Sequence, residues 1–173
     1  VNQLTRAARF VAEIGATRMW TDEEAALADG IAQRLTGQIP MMTDASLFDG
    51  LISAIGTLTA LGADGAEAAV ARLIALATPD GWPQSTIEGP RYRPEARVTD
   101  LTLGTAGVLL GATWAHHNGI ERAAELAAHA AAALLAESEE HGEGLDWPFV
   151  PTRFLAAGEE DIRMPNLSHG LAG

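Results

Sequence analysis

The stretch Asp100-Leu-Thr-Leu-Gly104-Thr-Ala-Gly107 has two related copies in this chain, Ser46-Leu-Phe-Asp-Gly50-Leu-Ile-Ser53 and Asn166-Leu-Ser-His-Gly170-Leu-Ala-Gly173. Each copy begins with a residue type that caps helices well, and a glycine follows four positions later. A small residue stands three positions after that glycine. The first two copies continue into apolar stretches, Gly50 to Leu61 and Gly104 to Ala115. The pattern therefore predicts three equivalent helix starts.

A Trp-Pro pair precedes the second and the third glycine at nearly the same distance, as Trp82-Pro83 and Trp147-Pro148. Each pair follows an alanine-rich amphipathic segment, Ala66 to Ala77 and Ile120 to Glu137. The repeated unit is therefore an outer helix with one polar face, a Trp-Pro loop and an inner helix that begins near the glycine.

Two further helices are predicted before the first copy. Apolar residues at helical spacing indicate one from Leu4 to Ile14, and Thr21 with Glu24 forms a capping box for a second that reaches about Leu35. Pro40 ends any continuation. Because alanine and leucine dominate and only 5% of the residues are aromatic, helix is favoured throughout. The prediction is an all-α protein with six complete helices and the start of a seventh.

The two helix types of the repeat indicate an architecture. The stretch from Gly104 to Ala115 has almost no polar side chain beyond threonine, so we expect it to be buried all round. Buried inner helices ringed by half-exposed outer ones describe an α/α toroid, and an open solenoid fits the same pattern. We interpret residues 1–173 as one partial toroid domain, truncated at its C-terminus.

Composition excludes several classes of function. Eleven basic and 23 acidic residues leave a formal net charge of −12, which argues against nucleic acid as a partner. The most apolar stretch, Ala123 to Ala136, is interrupted by Glu125 and His129, so no membrane span is expected. Cysteine is absent, which excludes disulfides and a cysteine-ligated zinc site within these residues. A cytoplasmic location is the expectation.

The three copies, in this order, resemble the lanthionine synthetase C-like family over about Ser46 to Gly173. The segment around His169 and Gly170 is similar to the family's His-Gly-x-x-Gly motif, and that around Asp100 and Gly104 to its earlier Asp-x-x-x-Gly-x-x-Gly repeat. Two positions depart from the family pattern. Thr99 stands where tyrosine is frequent, and Ser53 replaces a second glycine.

The resemblance implies a zinc-dependent enzyme in the full-length protein. Such an enzyme adds a cysteine thiol to dehydroalanine or dehydrobutyrine and so forms a thioether ring in a peptide. The implied partner is a peptide substrate or a small thiol. In the family the zinc ligands are two cysteines and a histidine, here expected beyond residue 173. The fragment by itself is therefore expected to bind no zinc and to be inactive.

The resemblance carries two catalytic residues over to this chain, His169 and Asp100. A neutral imidazole near a helix start can accept a thiol proton and return it to the enolate that addition leaves. A histidine that only hydrogen-bonds at a helix start is the alternative for His169. Asp100 stands at a predicted N-cap, so its carboxylate has a structural role open to it as well as an orienting one.

The repeated glycines also have two interpretations. They allow dense packing of the inner helices, or they mark helix starts that line a cavity, where unpaired N–H groups would suit anions. Two other functions remain open at this point. One is a noncatalytic toroid that binds a peptide, and the other is a carbohydrate-processing toroid enzyme, which needs paired carboxylates. Asp49 is the evident second carboxylate for that purpose.

Overall fold

Helices make up most of a computed structural model that describes residues 3–84, 87–160 and 167–168. Six α-helices lie in these ranges: α1 Gln3–Thr17, α2 Asp22–Gln38, α3 Leu51–Ala60, α4 Ala66–Leu76, α5 Thr105–His117 and α6 Ala123–Ala136. One antiparallel hairpin, β1 Glu139–His141 with β2 Gly144–Asp146, is the only sheet of named strands in this part of the chain. The all-α prediction is confirmed. None of the described helices combines the length and the apolar character needed to cross a bilayer.

The helices pair into three consecutive hairpins, α1 with α2, α3 with α4 and α5 with α6. Helix α3 packs against both α1 and α5, and α4 packs against α6. The odd-numbered helices therefore form one layer and the even-numbered helices a second. The main core lies between the layers, where fully buried aliphatic side chains from both layers meet, among them Leu51, Leu58, Leu73 and Leu126.

Helix α5 is not buried on all sides, so that prediction is wrong. Val108, Ala112 and Ala115 are fully buried, but Leu110 is 51% exposed and Trp114 42% exposed. The described neighbours of α5 are chiefly α3 and α6, which cover only part of its circumference. The remaining face is apolar because Leu110 and Trp114 are one helical turn apart.

The two Trp-Pro loops are equivalent in structure. The indole N–H of Trp82 donates to the Leu73 carbonyl oxygen at 2.9 Å, and that of Trp147 donates to the Leu134 carbonyl oxygen at 2.8 Å. Both carbonyls belong to the last turn of an even-numbered helix, where carbonyl oxygens lack partners within the helix. The tryptophans therefore stabilise the ends of α4 and α6 and direct the chain back toward the other layer.

Helix α2 begins with the predicted capping box. The Glu24 backbone N–H donates to the Thr21 hydroxyl at 3.2 Å, and the Thr21 N–H donates to Glu24 Oε2 at 2.9 Å. Arg18 also donates to this carboxylate. Hydrogen bonds from Arg18 and from the Thr21 backbone lower the pKa of Glu24 to about 2.

Stability should therefore depend on pH through Glu24. A carboxyl whose pKa is lower in the folded state stabilises it above the ordinary pKa of 4.5 and loses that contribution as the pH falls toward about 2. Urea unfolding midpoints measured across this window should fall less steeply in Glu24→Gln than in the unaltered chain. Glu23→Gln, which removes a charge from the same turn but leaves the box intact, is the control. Equal slopes for both variants would contradict the prediction.

Candidate functional site

The first two glycine-bearing copies form the loops that enter α3 and α5. We call residues 44–50 the first loop, residues 98–104 the second loop and residues 167–168 the third segment. Gly50 and Gly104 are themselves the N-cap residues, both with extended backbone and without a side-chain cap. The prediction that Ser46 and Asp100 are N-caps is therefore wrong, because each lies four residues before the cap, inside the loop.

Backbone carbonyls of the second loop satisfy the start of α5. Its first three N–H groups donate to successive carbonyl oxygens: Thr105 to Val98 at 3.0 Å, Ala106 to Thr99 at 3.0 Å and Gly107 to Asp100 at 3.3 Å. In the first loop the Leu51 N–H donates to the Asp44 carbonyl at 2.8 Å in the same manner. The expectation of unpaired N–H groups at these helix starts is wrong for α5, because the preceding chain folds back across its first turn.

This fold-back explains the repeated glycines. A Cβ atom on Gly104 would lie 2.2 Å from the Val98 carbonyl oxygen, and one on Gly50 would lie 2.4 Å from the Ser46 nitrogen. Both neighbours are backbone atoms, which cannot rotate away as a side chain can. At these two positions the glycines therefore allow the preceding loop to cross the helix start, which is a different close approach from the predicted packing between inner helices.

The two loops and the third segment lie side by side and are hydrogen-bonded in sequence order. The Leu47 N–H of the first loop donates to the Thr102 carbonyl oxygen of the second at 3.2 Å. The Thr102 N–H donates in turn to the Ser168 carbonyl oxygen at 3.3 Å, and the Thr102 hydroxyl donates to the same oxygen at 2.9 Å. Gly50 and Gly104 thus mark helix starts on one side of the structure, as predicted, while Gly170 lies outside the described residues.

Asp100 is buried within the second loop, with 5% of its surface exposed. Its Oδ1 accepts the Leu103 N–H at 2.9 Å, which closes the turn immediately before the Gly104 cap. The neighbouring Thr99 donates its hydroxyl to the Pro148 carbonyl oxygen and its N–H to the Phe149 carbonyl oxygen. The second Trp-Pro loop therefore supports the extended segment that carries Asp100, a link between the two repeated elements that the sequence did not predict.

His169, the other predicted catalytic residue, lies outside the described residues. The residue before it, Ser168, is exposed and accepts both hydrogen bonds from Thr102. Thr102 stands two positions after Asp100 in the second loop. The described structure therefore ties the residue that precedes His169 to the loop of Asp100.

An open apolar groove of about 510 Å³ lies between α1, α3 and α5. Its lining includes the large apolar residues Phe48, Leu110 and Trp114 and the small residues Ser53, Gly56 and Gly111. The sequence did not predict this groove, because the apolar stretch of α5 indicated a helix that is covered on every side. Two features of the sequence correspond to the groove. Small residues are spaced three to four positions apart along α3, and two large apolar residues stand on α5.

No family model, no curated protein and no solved structure matches this chain.

Asp49 and His129 each have a structural partner. Arg6 binds Asp49 through two hydrogen bonds of 2.8 and 2.9 Å, and this guanidinium lowers the pKa of the Asp49 carboxyl. His129 Nε2 lies 2.8 Å from the Thr78 carbonyl oxygen, and its ring packs edge-on against Trp82. In the ranges that the structure describes, no three histidine, aspartate or glutamate side chains are grouped so as to hold a metal ion.

Proposed function

We propose that this chain is part of a lanthionine synthetase C-like enzyme, which in full length adds a cysteine thiol to dehydroalanine or dehydrobutyrine in a peptide. The observation that carries the proposal is the hydrogen-bonded row of the two loops and the third segment. In that row the buried Asp100 belongs to the loop that binds Ser168, the residue before His169. The family motif assigns the acid–base chemistry to these two residues, Asp100 and His169.

The arrangement of the helices also supports the proposal, which implies an α/α toroid. Three hairpins stand in order, with odd-numbered helices in one layer and even-numbered helices in the other. Both described inner-helix loops with a glycine cap lie at the same end of their layer and touch. A partial α/α toroid, to which further hairpins of the full-length protein are added, accounts for this order and for the uncovered apolar face of α5.

The chemistry requires one proton to move twice. Neutral His169 accepts the thiol proton as the sulfur attacks Cβ of the dehydrated residue. The C–S bond forms, the C=C π bond breaks, and its electrons pass to the adjacent carbonyl oxygen as an enolate. The imidazolium then returns the proton to Cα, which completes the thioether. The proposed role of Asp100 is to stabilise the imidazolium, and its burial keeps water away from its carboxylate, which favours that role.

Zinc, which the family resemblance implies, does not fit the residues described. The sequence has no cysteine, and the described residues contain no grouped set of three possible ligands. The zinc ligands are therefore proposed to lie outside this sequence. The proton transfers assigned to His169 and Asp100 do not pass through the metal.

Replacing Asp100 by asparagine tests the proposal, because the amide oxygen can still accept the Leu103 N–H while the negative charge is lost. We expect the unfolding free energy of the full-length protein to change by less than about 1 kcal/mol. The rate of addition of a thiol to a dehydrated peptide should fall by about 10- to 100-fold, somewhat less than for loss of a general acid–base group.

Asp44→Asn is the matched control. Asp44 Oδ1 accepts the Ser46 N–H in the first loop at 2.8 Å, so this substitution also keeps a loop hydrogen bond and removes a charge. It should leave the rate unchanged. An unaltered rate in Asp100→Asn would reduce Asp100 to an anchor of its loop.

Peptide binding without catalysis is the second candidate, and the apolar groove favours it. The same assay separates the two, since saturable binding of the dehydrated peptide without turnover in the unaltered protein would support binding alone. The carbohydrate-processing alternative is disfavoured, because Asp49 is held by Arg6 and is therefore a poor partner for a second catalytic carboxylate.

A further inference from the structure

Thr102 is bonded to the elements on both sides of it. Its carbonyl oxygen accepts the Leu47 N–H from the first loop, and its N–H and hydroxyl both donate to the Ser168 carbonyl oxygen of the third segment. The residue is partly buried between the two neighbours. One residue of the second loop therefore sets the register of all three.

The Thr102 hydroxyl restrains the Ser168 carbonyl in a way that the Thr102 backbone N–H alone does not. Any residue except proline would offer the N–H, and a single hydrogen bond leaves the accepting carbonyl free to tilt. Two donors from the same residue restrict the direction of the Ser168 carbonyl. Threonine suits this role because its branched Cβ restricts χ1, so the hydroxyl is held in place before the bond forms.

We propose that Thr102 is a positioning residue, which fixes the Ser168 carbonyl group relative to the loop of Asp100. Its consequence for catalysis rests on the proposed function, while its effect on the third segment does not. Thr102 itself contacts no reacting atom in this scheme.

The first test needs no activity. Amide hydrogen exchange at position 102 should be about fivefold faster in Thr102→Val than in the unaltered full-length protein, after correction for intrinsic rates, because the shared acceptor is held less firmly. Thr102→Ser should restore slow exchange. Thr113→Val is the matched control, since the Thr113 hydroxyl makes a 2.8 Å bond to the Leu109 carbonyl within α5 and joins no loops. Unchanged exchange in Thr102→Val would overturn the proposal.

The second test is kinetic. Thr102→Val should lower kcat for thiol addition about two- to tenfold, with KM and the unfolding midpoint unchanged, and Thr102→Ser should restore kcat. A fall in the unfolding midpoint that accounts for the lost rate, or failure of serine to restore kcat, would overturn the positioning role. Absence of thiol addition in the unaltered protein would instead remove the proposed function, and the exchange measurement would still decide whether Thr102 holds the third segment.

Discussion

Replacing His169 by alanine in the full-length protein is expected to lower the rate of thiol addition by about 10²–10⁴-fold, the usual contribution of a general acid–base group. The proposal gives His169 both proton transfers, from the thiol and to the enolate carbon, so the substitution removes both at once. Because the resemblance puts the zinc ligands elsewhere, bound zinc and helicity should hardly change. Rates with a thiol and a dehydrated peptide, circular dichroism and elemental analysis measure the three quantities.

His116→Ala is the control for this substitution. His116 is exposed near the end of α5, where its loss removes an imidazole from the protein without touching the loops. It should retain the full rate. A full rate in His169→Ala would end the catalytic assignment, and loss of zinc from that variant would make His169 a ligand instead.

Gly104→Ala is expected to destabilise the protein by about 3 kcal/mol or more. The new Cβ would lie 2.2 Å from the Val98 carbonyl oxygen and 2.7 Å from the Asp100 nitrogen. Relief of that overlap requires the second loop to move off the first turn of α5. Such a movement breaks the bond from the Thr105 N–H to the Val98 carbonyl and displaces Asp100, so activity should fall as well.

Gly30→Ala in α2 adds the same methyl group where there is open space, and it serves as the control for helix propensity. A Cβ on Gly30 meets no atom within 4 Å, so alanine should stabilise the helix by about 0.5–1 kcal/mol. Urea unfolding of both variants measures the difference. A Gly104→Ala variant within about 1 kcal/mol of the unaltered protein would show that the loop relaxes around the added methyl group and that the close approach is not needed.

Local signals in the sequence predicted the helices well. Thr21 and Glu24 form the capping box that they encode, and the helix that follows ends just before Pro40. The repeat of glycines and Trp-Pro pairs correctly marked equivalent elements. The contacts that define these features join residues at most 13 positions apart, so that their physical causes lie within a short stretch of sequence.

Other features depended on segments far apart in the chain. The prediction that Asp100 is a helix cap was wrong, because residues 98–100 cross the first turn of α5, where Thr99 donates hydrogen bonds to the Pro148 and Phe149 carbonyl oxygens. The hydrogen bonds of Thr102 had no signal in its own loop, since both of its partners come from other copies of the repeat.

The sequence by itself determined the helices, the capping box of α2 and the repeat, because helix propensity, local capping and apolar periodicity act between near neighbours. Only the tertiary structure decided which faces are covered and which loops touch. Burial of Leu110 and Trp114 depends on how many helices surround α5, and neither residue's own neighbours in sequence carry that information. Contact between the loops likewise arises because the inner helices start at the same end of one layer, where backbone groups of distant segments satisfy each other's hydrogen bonds.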